Sequence, residues 1–156
     1  MRFRTLVVAL FAASAGGCGD AGGLSEDVLA SHMVAEAMLA AHFVAAAETA
    51  GMSVEAINAA LEDIAARSGI DEFWITDSQG RAYLTNMGVD FTFQADAADQ
   101  PQASAFWPLI EGTEEVVTQE ARVREIDDRV FKYVAVAGVD RPRIVQVGVD
   151  AERVRQ

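Results

Sequence analysis

The chain has 156 residues, of which 51% are hydrophobic and 23% are charged, and its net charge is -12 at pH 7. This length predicts one domain with a core of its own, and the composition excludes disorder over most of the chain. The acidic balance argues against nucleic acid as a partner, because phosphate binding depends on neutralisation by Lys and Arg.

The first 17 residues have the pattern of a secretory signal peptide. Arg2 and Arg4 precede an apolar run from Thr5 to Ala13. That run is too short to span a bilayer, because a membrane-spanning helix needs about 20 apolar residues. We therefore expect residues 1–17 to be an export signal that takes no part in the fold.

Small residues lead from this run to Cys18, the one cysteine of the chain. The arrangement resembles the lipobox of bacterial lipoproteins, in which the cysteine becomes the new N-terminus and carries acyl chains. The resemblance implies a protein on the periplasmic side of the cell envelope, which touches the membrane only through a lipid anchor at Cys18. Gly19 stands where an aspartate would suggest inner-membrane retention, so the outer membrane is favoured. The alternative is an ordinary signal peptide with a chance cysteine near its cleavage site.

Residues 18–23 are expected to be a tether, and residues 24–156 a single domain that begins with a long helix. The stretch from Leu24 to Ala50 lacks Pro and Gly and is rich in good helix formers. Its apolar residues cover most of the helix circumference, so we expect burial on more than one side. One side would pack on a sheet, and the other makes this helix a candidate for a homodimer contact. These apolar residues are Val28, Leu29, Met33, Val34, Met38, Leu39, Phe43 and Val44.

A second helix and a β-hairpin are predicted next along the chain. The helix is capped by Ser53 and extends through Arg67. Aromatic and β-branched residues then predict paired strands at 72–77 and 81–86, joined by a turn that ends at Gly80.

The remainder of the chain is predicted to be a long connection followed by three strands. The connection, 87–102, is of a length often found in lids and binding loops. Residues 103–112 form at best a short helix, weakened by Pro108. Because the strands are joined by tight turns, we expect antiparallel neighbours and an α+β fold, with the long N-terminal helix packed on a five-stranded sheet. The last three strands are predicted at 115–125, 130–137 and 143–149.

The strand order and the local sequence resemble the PAS-like extracytoplasmic sensor domains called Cache domains, which occur in methyl-accepting chemotaxis receptors. The resemblance covers 71–149, about half of the chain. The stretches that carry it are Asp71–Asp77 with Gly80, Tyr83 and Asn86, then Phe106–Trp107, Gln119–Arg122, Phe131–Val134 and Pro142–Gly148.

The resemblance implies a PAS-like sheet and a pocket between that sheet and the segment formed by the loop and short helix. Such a pocket takes a small molecule, often an organic acid or an amino acid, and serves signal transduction without catalysis. Members of the family usually continue through a membrane helix into a signalling module, whereas this chain ends at Gln156. We therefore expect a free-standing binding protein, or one that passes its state to a partner.

Lys132 is the first candidate for a ligand contact, because alternation puts it in a row of valines on one face of its strand. A lysine there anchors a carboxylate, or it extends its charged end to water near an edge of the sheet. Tyr133 falls on the other face of the same strand. Arg122 and Arg143 are candidates of the same kind, for which pairing with neighbours such as Glu120 is the favoured interpretation.

The first hairpin supplies further candidates for the pocket wall. If the hairpin is in simple register, its aromatic and hydroxyl side chains share one face, and the alternative is an ordinary aromatic core. Phe106 and Trp107 point different ways because they are adjacent, so one of them is expected to cover the pocket. The candidate ligand-binding residues are therefore Trp74, Thr76, Tyr83, Thr85, Trp107, Lys132 and Tyr133.

Catalytic, metal and cofactor sites are not predicted. His32 and His42 are about 80° apart around the helix and do not share a metal. Asp127 and Asp128 lie in a predicted hairpin loop, where aspartate favours turn formation, so we interpret them as turn residues and not as metal ligands. No nucleophile elbow or phosphate loop is present in the sequence, so an enzyme is not expected. The alternative function is a dimerising envelope interaction lipoprotein whose pocket is filled by its own side chains.

Overall fold

The computed structural model describes residues 26–124 and 127–154. The predicted signal peptide, the lipidation site Cys18 and the tether lie outside the described residues.

Helix α1, Glu26–Thr49, begins the described chain. Glu26 and Asp27 lie in its first turn, where acidic groups are stabilised by the helix dipole. Within the described part of the chain, α1 is the one helix long and apolar enough to cross a membrane by length and composition, which is compatible with an envelope protein. Here it packs on a sheet through small residues that allow close approach. Its buried residues are Met33, Ala37, Ala40, Ala41, Val44 and Ala47.

Helix α2, Val54–Arg67, follows a four-residue link. Ser53 caps it as predicted, since the Ser53 Oγ accepts a hydrogen bond from the Ala56 N–H at 3.3 Å. Ile57 and Leu61 are its buried residues. Both helices contribute buried residues to the same hydrophobic core.

Six strands form one antiparallel sheet with the order β2-β1-β6-β5-β3, and β4 also pairs with β5. The long strands β5 and β6 lie at its centre. This confirms the prediction of an α+β fold with a long N-terminal helix on an antiparallel sheet. The strands are β1 Glu72–Thr76, β2 Ala82–Thr85, β3 Val116–Thr118, β4 Arg122–Val123, β5 Val130–Ala137 and β6 Ile144–Asp150.

The single strand predicted at 115–125 is in fact two short strands, β3 and β4. Thr118 pairs with Val134, whereas Arg122 pairs with Phe131, so the register between the two pairs shifts by one residue. Such an extra residue interrupts the ladder in the manner of a β-bulge. The strand count is therefore six instead of five.

The two faces of the sheet are covered differently. Helices α1 and α2 cover one face, which we call the helix face. Residues 87–112, which we call the cover segment, pack on the other. Within this segment a 3-10 turn, Ala103–Phe106, precedes the short helix α3, Pro108–Glu111. Pro108 thus begins a helix and does not weaken one, because a proline lacks only an N–H that the first turn leaves unbonded. A last short helix, α4 Ala151–Val154, is not predicted from the sequence.

Candidate ligand-binding site

A small cavity lies between the sheet and the cover segment, where the Cache resemblance predicts a pocket. Its volume is about 30 Å³, which is room for about one water molecule. Pockets for small organic ligands are roughly ten times larger or more. The cavity is thus mostly filled by its own lining, which includes Trp74, Phe91, Phe93, Phe106, Arg124, Tyr133 and Gln146.

The polar wall of the cavity is formed by three lining residues that bond to the carboxylate of Glu72, which does not itself line the cavity and is 1% exposed. The Trp74 Nε1–H donates to Glu72 Oε2 at 3.0 Å, and the Tyr133 hydroxyl donates to the same oxygen at 2.9 Å. The other oxygen, Oε1, forms an ion pair with the guanidinium of Arg124. A buried carboxylate therefore has a charged partner and two neutral donors.

Arg124 lies between two carboxylates. Besides Glu72, it pairs with Asp127, and its guanidinium lies over the ring of Phe131 at 4.2 Å from the centroid. The hydrogen bond from Arg124 lowers the pKa of Asp127 to about 2, and the same bond raises the pKa of Arg124. Burial raises the pKa of Tyr133 to about 12. Arg124 and Tyr133 therefore keep their protonated forms at neutral pH.

Aromatic rings connect this polar wall to the cover segment. Trp74 and Phe91 have ring centroids 5.6 Å apart, and Phe91 contacts Phe93 edge-on at 5.0 Å. The cover segment approaches the first hairpin at Gly80, which has φ +81°; a Cβ there would lie 2.4 Å from the carbonyl oxygen of Phe93. Only glycine allows the backbone to come this close.

Two of the predicted site residues, Trp74 and Tyr133, line the cavity. Thr76 is buried, and its hydroxyl accepts a hydrogen bond from the Ile144 N–H at 3.0 Å. Thr85 pairs with Trp74 across the hairpin but lines a separate surface groove. Trp107 is half-buried and lies against Gly80. The structure therefore brings together part of the predicted wall.

Tyr83 is the hairpin residue that departs from the predicted wall. The hairpin is not in simple register, because a β-bulge lies between Ile75 and Thr76. Tyr83 packs against the helix-face core, and its hydroxyl donates to Glu48 Oε1 at 2.5 Å. Arg143 Nη1 donates to the Tyr83 hydroxyl at 2.7 Å. Tyr83 therefore belongs to a polar cluster at the end of α1.

Lys132 also lies on the helix face, away from the cavity. Its side chain is 2% exposed, and its Nζ donates to Glu26 Oε1 at 3.0 Å and to the Gln119 carbonyl at 3.2 Å. The hydrogen bond from Lys132 lowers the pKa of Glu26. The anion beside Lys132 is thus a residue of α1.

Sequence reasoning missed Glu72 and Arg124. Glu72 precedes Trp74 by two residues, so alternation along β1 is a signal that could have put its carboxylate on the aromatic face. Arg124 carries no such signal, because it follows the irregular pairing of β3 and β4. Arg143, expected to pair with strand neighbours, is fully buried and pairs with Glu48 and Asp140.

In comparisons with known proteins, no family model matches the chain, and no curated protein is a significant match to it.

Proposed function

We propose that this chain is a non-catalytic, sensor-like domain of the PAS-like Cache type, which binds a small organic acid or, preferably, an amino acid at the cavity. The observation that carries the proposal is the buried ion pair that Glu72 forms with Arg124, a residue of the cavity lining.

A buried ion pair is a weak device for stability. Taking both charges out of water costs several kcal/mol per ion, and an apolar pair of similar volume is often as stable or more so. Arg124 lines the cavity, and Glu72 bonds to three residues of its lining, which supports a role of the pair in binding. Their charges neutralise each other while no ligand is bound.

An amino acid carries the two charges that this pair complements. The Arg124 guanidinium matches a carboxylate, with two parallel hydrogen bonds. Glu72 matches an ammonium group. An organic acid would engage Arg124 alone and would leave Glu72 buried without a cation. The amino acid is therefore the preferred class.

Binding requires the cavity to enlarge, since about 30 Å³ holds one water molecule. Arg124 directly follows the two-residue strand β4, which has few backbone hydrogen bonds to fix it. Withdrawal of the Arg124 side chain, with a shift of the cover segment, opens space beside Glu72. The proposal thus includes a closed, self-paired state and an open, liganded state.

A thermal-shift screen of the whole chain tests the proposal. The panel contains amino acids, and for each one the matching amine and the matching carboxylic acid. A true ligand at 100 times its dissociation constant stabilises the fold by about 2.7 kcal/mol, and both truncated analogues should stabilise it less.

Arg124→Met should abolish this stabilisation, and Arg122→Met is the matched control, because Arg122 is an exposed arginine two residues away. Absence of stabilisation by every compound would refute the proposal. If a ligand stabilised Arg124→Met as much as it stabilises the wild type, the proposed site would be wrong.

The proposal includes a location on the periplasmic side of the cell envelope, with a lipid anchor at Cys18 and the outer membrane favoured. It is supported by the sequence of residues 1–18. Cys18→Ser should move the protein from the membrane fraction to the soluble fraction. Unchanged membrane association of this variant would contradict the anchor.

A second candidate is a dimerising envelope protein without a ligand. It is favoured by the exposure of α1. Of the apolar 18-residue stretch of this helix, 28% is buried within the domain. Met38 and Leu39 are exposed on this helix. Analytical ultracentrifugation, combined with the thermal-shift screen, distinguishes the two candidates. A stable dimer that no compound of the panel stabilises would favour the dimerising protein.

A further inference from the structure

A second concave site lies on the helix face, on the opposite side of the sheet from the cavity. It is an open groove of about 410 Å³ between α1 and α2, with Phe73 of β1 among its lining residues. This volume falls within the range of small-molecule sites, which are usually concave and mostly apolar. The groove shares no lining residue with the cavity.

The lining of the groove is mostly apolar. On α1, Glu36, Leu39 and Phe43 follow one another at helical spacing along the lining stripe, so Glu36 lies at one end of that stripe. The lining also includes Ile64 of α2 and Ser68, the residue that follows α2. Glu36 and Ser68 are the polar residues of the lining, and the others are apolar.

The apolar part of the groove is accessible to water. Leu39 is 69% exposed and Ile64 is 40% exposed, so neither side chain is covered by the described residues. Covering such side chains removes apolar surface from water, at about 25 cal/mol per Å². An apolar chain laid along the groove would supply that cover.

The charge of Glu36 selects the kind of head group. Glu36 is the one charged residue that lines the groove. Burial raises the pKa of Glu36, and the nearby His32, one helical turn away, opposes that rise. Within residues 26–124 and 127–154, no ion pair holds the Glu36 carboxylate. A cation beside Glu36 would pair with this carboxylate, and it would also suit the net charge of -12.

We propose that this groove binds an amphiphile that has one apolar chain and a cationic head, with the head beside Glu36. The site is separate from the one proposed for an amino acid and does not depend on it.

Direct titration of the whole chain with dodecylamine, dodecanoate and dodecanol, each below its micelle concentration, tests this proposal. We expect dodecylamine to bind one per chain and roughly three- to tenfold more tightly than dodecanol, with dodecanoate the weakest. Butylamine should not bind detectably, because its chain covers little of the groove. Equal affinity for the amine and the carboxylate would overturn the proposal.

Two variants locate the binding. Glu36→Gln should remove the preference for the amine over the alcohol, whereas Glu62→Gln, an exposed carboxylate of α2 outside the lining, should preserve it. Ala40→Phe should fill the groove and abolish binding of all three probes, with helix content and thermal unfolding measured to verify the fold. Unchanged binding to Ala40→Phe would overturn the proposal, as would a dimer of the wild-type chain that buries Leu39.

The same titration on Arg124→Met separates this proposal from the first. We expect dodecylamine to bind that variant as it binds the wild type. Loss of amine binding in Arg124→Met would mean that the amine occupies the cavity, and the groove proposal would be wrong.

Discussion

Lys132 and Tyr133 are neighbours on β5, yet their polar ends lie on opposite faces of the sheet. Lys132 Nζ donates to Glu26 of α1, while the Tyr133 hydroxyl donates to Glu72 at the cavity. Lys132 therefore connects the sheet to α1, and Tyr133 belongs to the wall of the cavity.

Lys132→Met should leave ligand binding at the cavity unchanged, because the side chain faces the helix layer. It should change the free energy of unfolding by less than about 1.5 kcal/mol, since an apolar chain of similar size replaces a buried cation. Its partner Glu26 is largely exposed and can be solvated. Denaturant unfolding and the ligand thermal shift measure both effects. A lost thermal shift in this variant would mean that the site includes the helix face.

Glu72→Gln should lower the free energy of unfolding by about 3–5 kcal/mol, because it leaves a buried guanidinium without one of its two carboxylates. The double variant Glu72→Gln with Arg124→Met should lose less than Glu72→Gln alone, since no unpaired buried charge remains. Urea unfolding of the wild type, the two single variants and the double variant measures the coupling. Strictly additive losses would contradict the ion pair.

The two tyrosines should both titrate above pH 10 in the folded protein. Burial is the main cause that raises the pKa of Tyr83 and that raises the pKa of Tyr133 to about 12. A raised pKa means that the fold prefers the neutral phenol. Its contribution to stability is therefore complete below pH 10 and is lost as the pH rises through about 12.

Tyrosinate absorbance of Tyr83→Phe isolates Tyr133 and should show one transition near pH 12. As the pH rises from 10 to 12, the free energy of unfolding of Tyr133→Phe should fall less than that of the wild type. Half-ionisation of Tyr133 at pH 10 in folded protein would contradict its burial at the cavity.

Gly80→Ala should be more destabilising than Gly88→Ala, although both glycines have positive φ. At Gly88 a Cβ meets nothing within 4 Å, so the cost is the backbone conformation alone, about 1–2 kcal/mol. At Gly80 the Cβ would meet the Phe93 carbonyl and the Trp107 ring as well. Denaturant unfolding gives the loss in free energy of unfolding for each variant. The amount by which the loss for Gly80→Ala exceeds that for Gly88→Ala measures how closely the cover segment packs on the hairpin. Equal losses would contradict this docking.

Local patterns predict most of the fold. The unbroken stretch before Gly51, the Ser53 cap and the alternation along β5 each act within a few residues, so helices and strands follow from them. The hairpin register is not predictable in this way, because the bulge between Ile75 and Thr76 depends on how β1 fits its neighbours.

The candidate site is harder to predict than the fold, for the same reason. Glu72 and Arg124 are 52 residues apart, and their contact depends on the one-residue shift between β3 and β4. Neither residue stands in a spacing that indicates the other. Lys132, by contrast, is conspicuous in the sequence, but its partner lies on a helix 106 residues earlier.

The indole N–H of Trp74 offers the most direct measurement of the central claim, that a ligand separates Glu72 from Arg124. The chain has two tryptophans, so its NMR spectrum should contain two indole N–H signals. Trp74 donates to Glu72 in the closed state, at 3.0 Å. With the amino acid that the screen identifies, we predict a saturable shift of the Trp74 signal that is absent from Arg124→Met. A bound ligand that leaves the Trp74 signal unmoved at saturation would contradict the account.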